Sequence, residues 1–103
     1  MTAGRIELAL APDHPAYAGH FPGNPMAPGV VLLDLALAAI GGQAGLDLAR
    51  CTLANVKFHS PARPGEPVML RYAGQPNGTL RFELDSNGRK LASGVLRPDA
   101  DGQ

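Results

Sequence analysis

A chain of 103 residues with 45% hydrophobic side chains holds material for one compact domain with a single core. Nine basic and nine acidic residues cancel to a formal net charge of zero without any run of like charge, which argues against a nucleic-acid or membrane-surface footprint. The single cysteine, Cys51, excludes an internal disulfide and a cysteine-built metal site, and fits a reducing, cytoplasmic compartment.

Residues 5–10 alternate, with Ile6, Leu8 and Leu10 on one face and Glu7 on the other, and predict a half-buried strand. The first residues lack the basic-then-apolar pattern of a signal peptide. A loop rich in Pro and Gly follows over 12–28, and Pro28 suits the first turn of a helix because its missing N–H has no intrahelical partner there. From Val30 to Ile40 apolar residues cover every side of that helix, which predicts burial all round and a stop at Gly41-Gly42. The stretch is interrupted by Asp34 and is too short to span a bilayer. Residues 52–60 predict a second strand, with Ala54, Val56 and Phe58 opposite Asn55 and Lys57. Pro61, Pro64 and Gly65 break the ladder before Val68, Leu70 and Tyr72 resume it. Asn77-Gly78 signals a tight hairpin into Leu80, Phe82 and Leu84, and Ser86-Asn87-Gly88 turns the chain into residues 89–97.

The expected architecture is therefore α+β: an antiparallel sheet, largely a meander, wrapped around one long apolar helix. It forms a single domain over 1–98, with 99–103 as a frayed tail. Such a sheet leaves an edge strand open, so a homodimer is expected.

Chemistry concentrates between residues 19 and 34. His20 is followed by Pro22, Pro25 and Pro28 and by Gly23 and Gly29, a loop with few conformations open to it. Asp34 stands alone among apolar helix residues, where an ionised carboxylate loses hydration and needs a partner or a cavity. His20 is its nearest ionisable candidate, which points to an acid–base pair. The backbone N–H groups of Gly29 and Val30 have no intrahelical partner, and glycine leaves a ligand oxygen room to approach them.

The segment GHFPGNPMAPGVVLLD resembles the active-site segment of the hot-dog-fold 3-hydroxyacyl-acyl-carrier-protein dehydratases. NVKFHSPARPGEPVMLRY and GTLRFELDSNGRKLASGVL resemble the strands that follow in that family. Within it, the spelling and compactness are most similar to the small dehydratase-like proteins of aryl-polyene and related lipid clusters. The resemblance implies a hot dog whose two subunits pair to complete both active sites. His20 would be the catalytic base at C2 of a 3-hydroxyacyl thioester, with Asp34 of the other subunit assisting loss of the C3 hydroxyl. The Gly29 N–H would hold the thioester oxygen, and a trans-2-enoyl thioester would be the product. The substrate would ride on acyl carrier protein or coenzyme A, and no metal or redox cofactor is implied. Where many members carry glutamate this chain has Asp34, and where many carry glutamine one turn later it has Ala38. Two other functions stay open: a thioesterase, in which the carboxylate activates water, and a noncatalytic acyl or carrier-protein binding module.

The remaining chemistry-bearing residues have plainer readings. His14 and His59 read as surface histidines, and Cys51 as apolar filler rather than a reactive thiol. Arg50, Lys57, Arg63 and Arg71 are candidates to meet an acidic carrier-protein surface or a pantetheine phosphate, Arg63 foremost. Phe21, Val30, Val31 and Leu33 fit an acyl tunnel or plain core packing equally.

Overall fold

The computed structural model describes residues 3–8, 29–63 and 65–99. Its strands are β1 (Ala3–Leu8), β2 (Cys51–Phe58), β3 (Val68–Gly74), β4 (Leu80–Ser86) and β5 (Arg89–Pro98). They form one antiparallel sheet of order β1-β3-β4-β5-β2, so β1 and β2 are its edges. Alternation puts Val68, Leu70, Tyr72, Leu80, Phe82 and Leu84 on one inner face, all buried, with Leu70 opposite Leu84 and Tyr72 opposite Phe82. The single long helix, α1 (Gly29–Ala44), packs on that face through Leu32, Leu33, Ala36 and Ile40. Full burial of a Leu or Ile side chain stabilises the fold by roughly 1.5–3 kcal/mol, so this contact is the core.

Several local expectations change. The helix is not buried all round: Asp34, Ala38 and Gly42 are exposed, because one helix seated on one sheet face leaves its far side to solvent. It also runs through Gly41-Gly42 to Ala44 and stops where Gly45 adopts φ +71°. The Leu46 N–H then donates to the Gly41 carbonyl at 3.1 Å, the bond of a Schellman cap. Asn77-Gly78 closes the β3–β4 hairpin as expected, with a three-residue connection: the Gly78 N–H donates to Gln75 O at 2.9 Å, the Gln75 N–H donates to Thr79 O at 2.8 Å, and Gly78 has φ +86°. The two-residue turn is Asn87-Gly88, where both residues have positive φ (50° and 82°) between the paired Ser86 and Arg89. Pro98 pairs with Cys51 and the Asp99 N–H donates to Arg50 O at 2.6 Å, so the ordered ladder extends one residue into the expected tail; residues 100–103, like Leu10 and the loop 12–28, lie outside the described residues.

Two bulges shape the sheet. Leu91 and Ala92 both turn inward opposite Leu84. In β2 the register slips between Ala54 and Lys57, with Asn55 at φ 53°, a conformation that asparagine tolerates better than most residues. The slip changes the faces read from simple alternation. Leu53 and Phe58, opposite the buried Leu96 and Ala92, share the inner face, whereas Ala54, opposite Val95, and Lys57, opposite Ser93, stand on the outer one.

The proline-broken connection between β2 and β3 is tied to the Asn87-Gly88 turn by charge. Both Glu66 carboxylate oxygens accept from Arg89 Nη2 at 2.6 Å, and Oε1 also accepts from the Arg63 N–H at 2.6 Å. Arg89 Nη1 donates to Ser60 Oγ (2.9 Å) and Pro61 O (3.1 Å), and Ser86 Oγ donates to Glu66 Oε2 (3.3 Å). Burial works to raise the Glu66 pKa, but the hydrogen bonds and charge of Arg89, with those from Arg63 and Ser86, leave it lowered overall.

Three predictions follow from these contacts. Gly94 lies opposite Phe82, and a Cβ there would sit 2.6 Å from the ring, so Gly94→Ala is expected to cost about 1–3 kcal/mol in urea unfolding. Gly42→Ala, where a methyl meets nothing, gains about 0.5–1 kcal/mol of helix propensity in the same assay. The lowered Glu66 pKa stabilises the fold fully above the unfolded value of about 4.3, and that stabilisation is lost as pH falls through the folded value. Unfolding free energy measured from pH 7 downward should therefore fall less steeply in Glu66→Gln than in the parent, the two converging in acid.

Candidate active site

Gly29 is the first residue of α1, and the first N–H groups of a helix have no acceptor within it. These amides, backed by the positive end of the helix dipole, can polarise a carbonyl or hold a developing oxyanion. Asp34 follows five residues later and is the only ionisable side chain on the helix. It was expected to be buried; in the single chain it is exposed, on a stripe completed by Ala38 and Gly42 at helical spacing. Among the described residues, therefore, none encloses it. His20 lies outside the described residues, as do His14 and Phe21.

A second uncovered surface is the inner face of β2. Leu53 is 36% exposed and Phe58 54%, although both share a face with core residues. Sequence alternation put Ala54 on the face of Phe58; the extra residue at Asn55 reverses the parity, so Ala54 stands on the outer face and Leu53 shares the inner face with Phe58. An asparagine in mid-strand was the available signal. α1 makes its main strand contacts with β1 and β5, and Leu53 and Phe58 of β2 stay exposed.

The other candidates sort by their surroundings. Cys51 is half-buried beside the core, and its Sγ donates to Asp47 O at 3.5 Å. Burial pushes its thiol pKa up, and Asp99 and Asp47 push it further, so it is filler rather than nucleophile. Arg71 pairs with Asp85 at 2.9 Å and Arg50 lies 3.9 Å from Asp47. Arg63 is exposed on the connection, its backbone fixed by Glu66. His59 is exposed just beyond β2, its N–H donating to Leu91 O at 2.8 Å. Leu33 is core and Val31 half-buried. Among the described residues no three His, Cys, Asp or Glu side chains gather to hold a metal ion, and no helix is long and apolar enough to cross a membrane.

Comparison with known proteins agrees with this architecture. The ApeI-like family, described as ApeI dehydratase, matches residues 2–95. A 3-hydroxyacyl-[acyl-carrier-protein] dehydratase FabZ of Aliarcobacter butzleri is 37% identical over 102 residues, covering 86% of this chain and 67% of that protein. The FabZ of Thermomicrobium roseum is 32% identical over 101 residues, covering 88% of this chain and 59% of its own length. Several other curated relatives are spanned over about half their length, 47% for the FabZ of Geobacter metallireducens. Among solved structures, the dehydratase heterocomplex ApeI:P from Xenorhabdus doucetiae superposes with a TM-score of 0.75 at 26% identity over 92% of this chain and 85% of that one. A trans-AT PKS dehydratase domain from Brevibacillus brevis shares the fold at TM-score 0.79 and 20% identity, over 92% of this chain and 40% of that one. The α+β hot dog expected from the sequence is the fold present.

Proposed function

This chain belongs to the ApeI-like dehydratase family, and from that premise we propose that it dehydrates a 3-hydroxyacyl thioester to the trans-2-enoyl thioester, with the acyl group carried on acyl carrier protein. His20 takes the proton from C2, the C3–O bond breaks, and the protonated Asp34 carboxyl gives its proton to the departing hydroxyl, which leaves as water. The Gly29 N–H holds the thioester oxygen as enolate-like charge develops on it. The outward placement of Asp34 carries the reading: the only ionisable group on an apolar helix points away from its own core, where it can enter a site shared with a second subunit. The open inner face of β2, with Leu53 and Phe58, supplies apolar surface for that subunit to cover. The enzyme is thus a homodimer with composite sites, acting in the cytoplasm.

Purified protein incubated with a 3-hydroxyacyl carrier-protein panel should yield enoyl product. Asp34→Asn and His20→Ala should each lower the rate by about 10²–10⁴-fold without lowering the melting temperature. Free thiol released without enoyl product would instead mark a thioesterase, and full turnover by His20→Ala would exclude this mechanism.

Sedimentation of the purified chain should give a dimer, and Phe58→Glu should shift it to monomer. A monomeric parent chain that forms a dimer only with a different hot-dog subunit would replace the homodimer by a heteromer of the kind named for the Xenorhabdus doucetiae complex.

A further inference from the structure

The outer face of the sheet carries a charge imbalance that the neutral chain conceals. Six of the nine Lys and Arg residues stand on it against three carboxylates, as the strand register places them. Two of those carboxylates are engaged, Asp85 with Arg71 at 2.9 Å and Glu83 with Lys90 at 3.8 Å. Lys57 and Arg81 have no ion-pair partner among the described residues.

These two cations meet at one place. A cleft of about 270 Å³ beside the β2 bulge is lined by Asn55, Lys57, Arg81, Ser93, Gly94 and Val95. It therefore gathers an ammonium, a guanidinium, a carboxamide and a hydroxyl, with no carboxylate in its lining. Lys57 lies opposite Ser93, and Arg81 opposite Val95, on the two sides of β5. Strand spacing and rise then put their backbones about 12 Å apart, on opposite banks of the cleft. The bulge is what opens the cleft: with Asn55 at φ 53°, two residues of β2 oppose Gly94. Glu83, the register partner of Ser93 on β4, lines the neighbouring cleft with Arg71 and Arg81 and lies 3.8 Å from Lys90.

We propose that this cleft is a phosphate-binding site, formed by Lys57, Arg81, Ser93 and Asn55 on the face of the sheet opposite α1. A tetrahedral oxyanion satisfies all four groups together: the guanidinium presents a planar fork, the ammonium a point charge, and the two neutral groups supply hydrogen bonds. The cleft volume admits a phosphate and the first atoms attached to it, so the ligand class is a phosphate monoester or free phosphate. The site stands on these groups alone and does not depend on the dehydratase reading.

The test is a ¹⁵N-HSQC titration of the full chain with inorganic phosphate at constant ionic strength, chloride being replaced so that screening does not change. Saturable shifts centred on residues 55–57, 81 and 93–95 are expected. Arg81→Gln and Lys57→Gln should each weaken binding about tenfold or more, while Arg97→Gln, on the same face outside the cleft, should leave it unchanged. Both cleft side chains are exposed, so melting temperatures should match the parent. Coenzyme A and dephospho-coenzyme A serve as further arms. Tighter binding of the former identifies a nucleotide phosphomonoester as occupant, and equal weak binding of both beside saturable inorganic phosphate identifies free phosphate. Linear, unsaturable shifts spread over the whole face, or the same affinity in Arg81→Gln as in the parent, would overturn the site.

Discussion

One helix must serve a sheet wider than itself. An α-helix with its side chains is about 10–12 Å across, whereas five strands at about 4.8 Å spacing span roughly 20–24 Å. α1 packs on the inner face through Leu32, Leu33, Ala36 and Ile40, with its main strand contacts to β1 and β5, and leaves Leu53 and Phe58 of the β2 edge exposed. The apolar surface left at Leu53 and Phe58 is a geometric consequence of this mismatch. Covering that surface is what the proposed second copy would achieve.

The same constraint gives the exposed side of α1 its character. A helix held by one face in a monomer would ordinarily carry polar residues on the other. Here the outward stripe is Asp34, Ala38 and Gly42, one carboxylate with two small residues. In the proposed dimer that carboxylate enters a site completed by the second subunit. The desolvation cost of the ion would then be met by substrate and partner groups and not by its own core.

Polar chemistry elsewhere is kept satisfied. Among the described residues no buried side-chain nitrogen or oxygen lacks a partner. Arg89 Nη2 donates to both Glu66 carboxylate oxygens, and this charge-assisted pair joins a proline-broken connection to a two-residue turn. On the outer face the charges are distributed differently: two carboxylates are matched to cations, while Lys57 and Arg81 face a shared cleft.

What could be read from the residues was whatever rests on local periodicity and on motif spelling. The alternation of β3 and β4, the β3-β4-β5 meander, the apolar helix and the family all followed from patterns a few residues long. The stopping point of α1 was misread, because a helix ends where the backbone can leave it with satisfied carbonyls, and the Gly45 cap accomplishes this better than Gly41-Gly42. The faces of β2 were partly misread, because one extra residue at Asn55 reverses the parity that alternation assumes. The identity of Asp34 as an isolated carboxylate was plain in the sequence, but its exposure was not. Exposure is settled by which side of the helix meets the sheet, and that depends on side chains from β3, β4 and β5 far along the chain. The Glu66–Arg89 tie and the Lys57–Arg81 cleft were likewise decided only by tertiary structure, since strand register, which no local pattern encodes, brings those residues together.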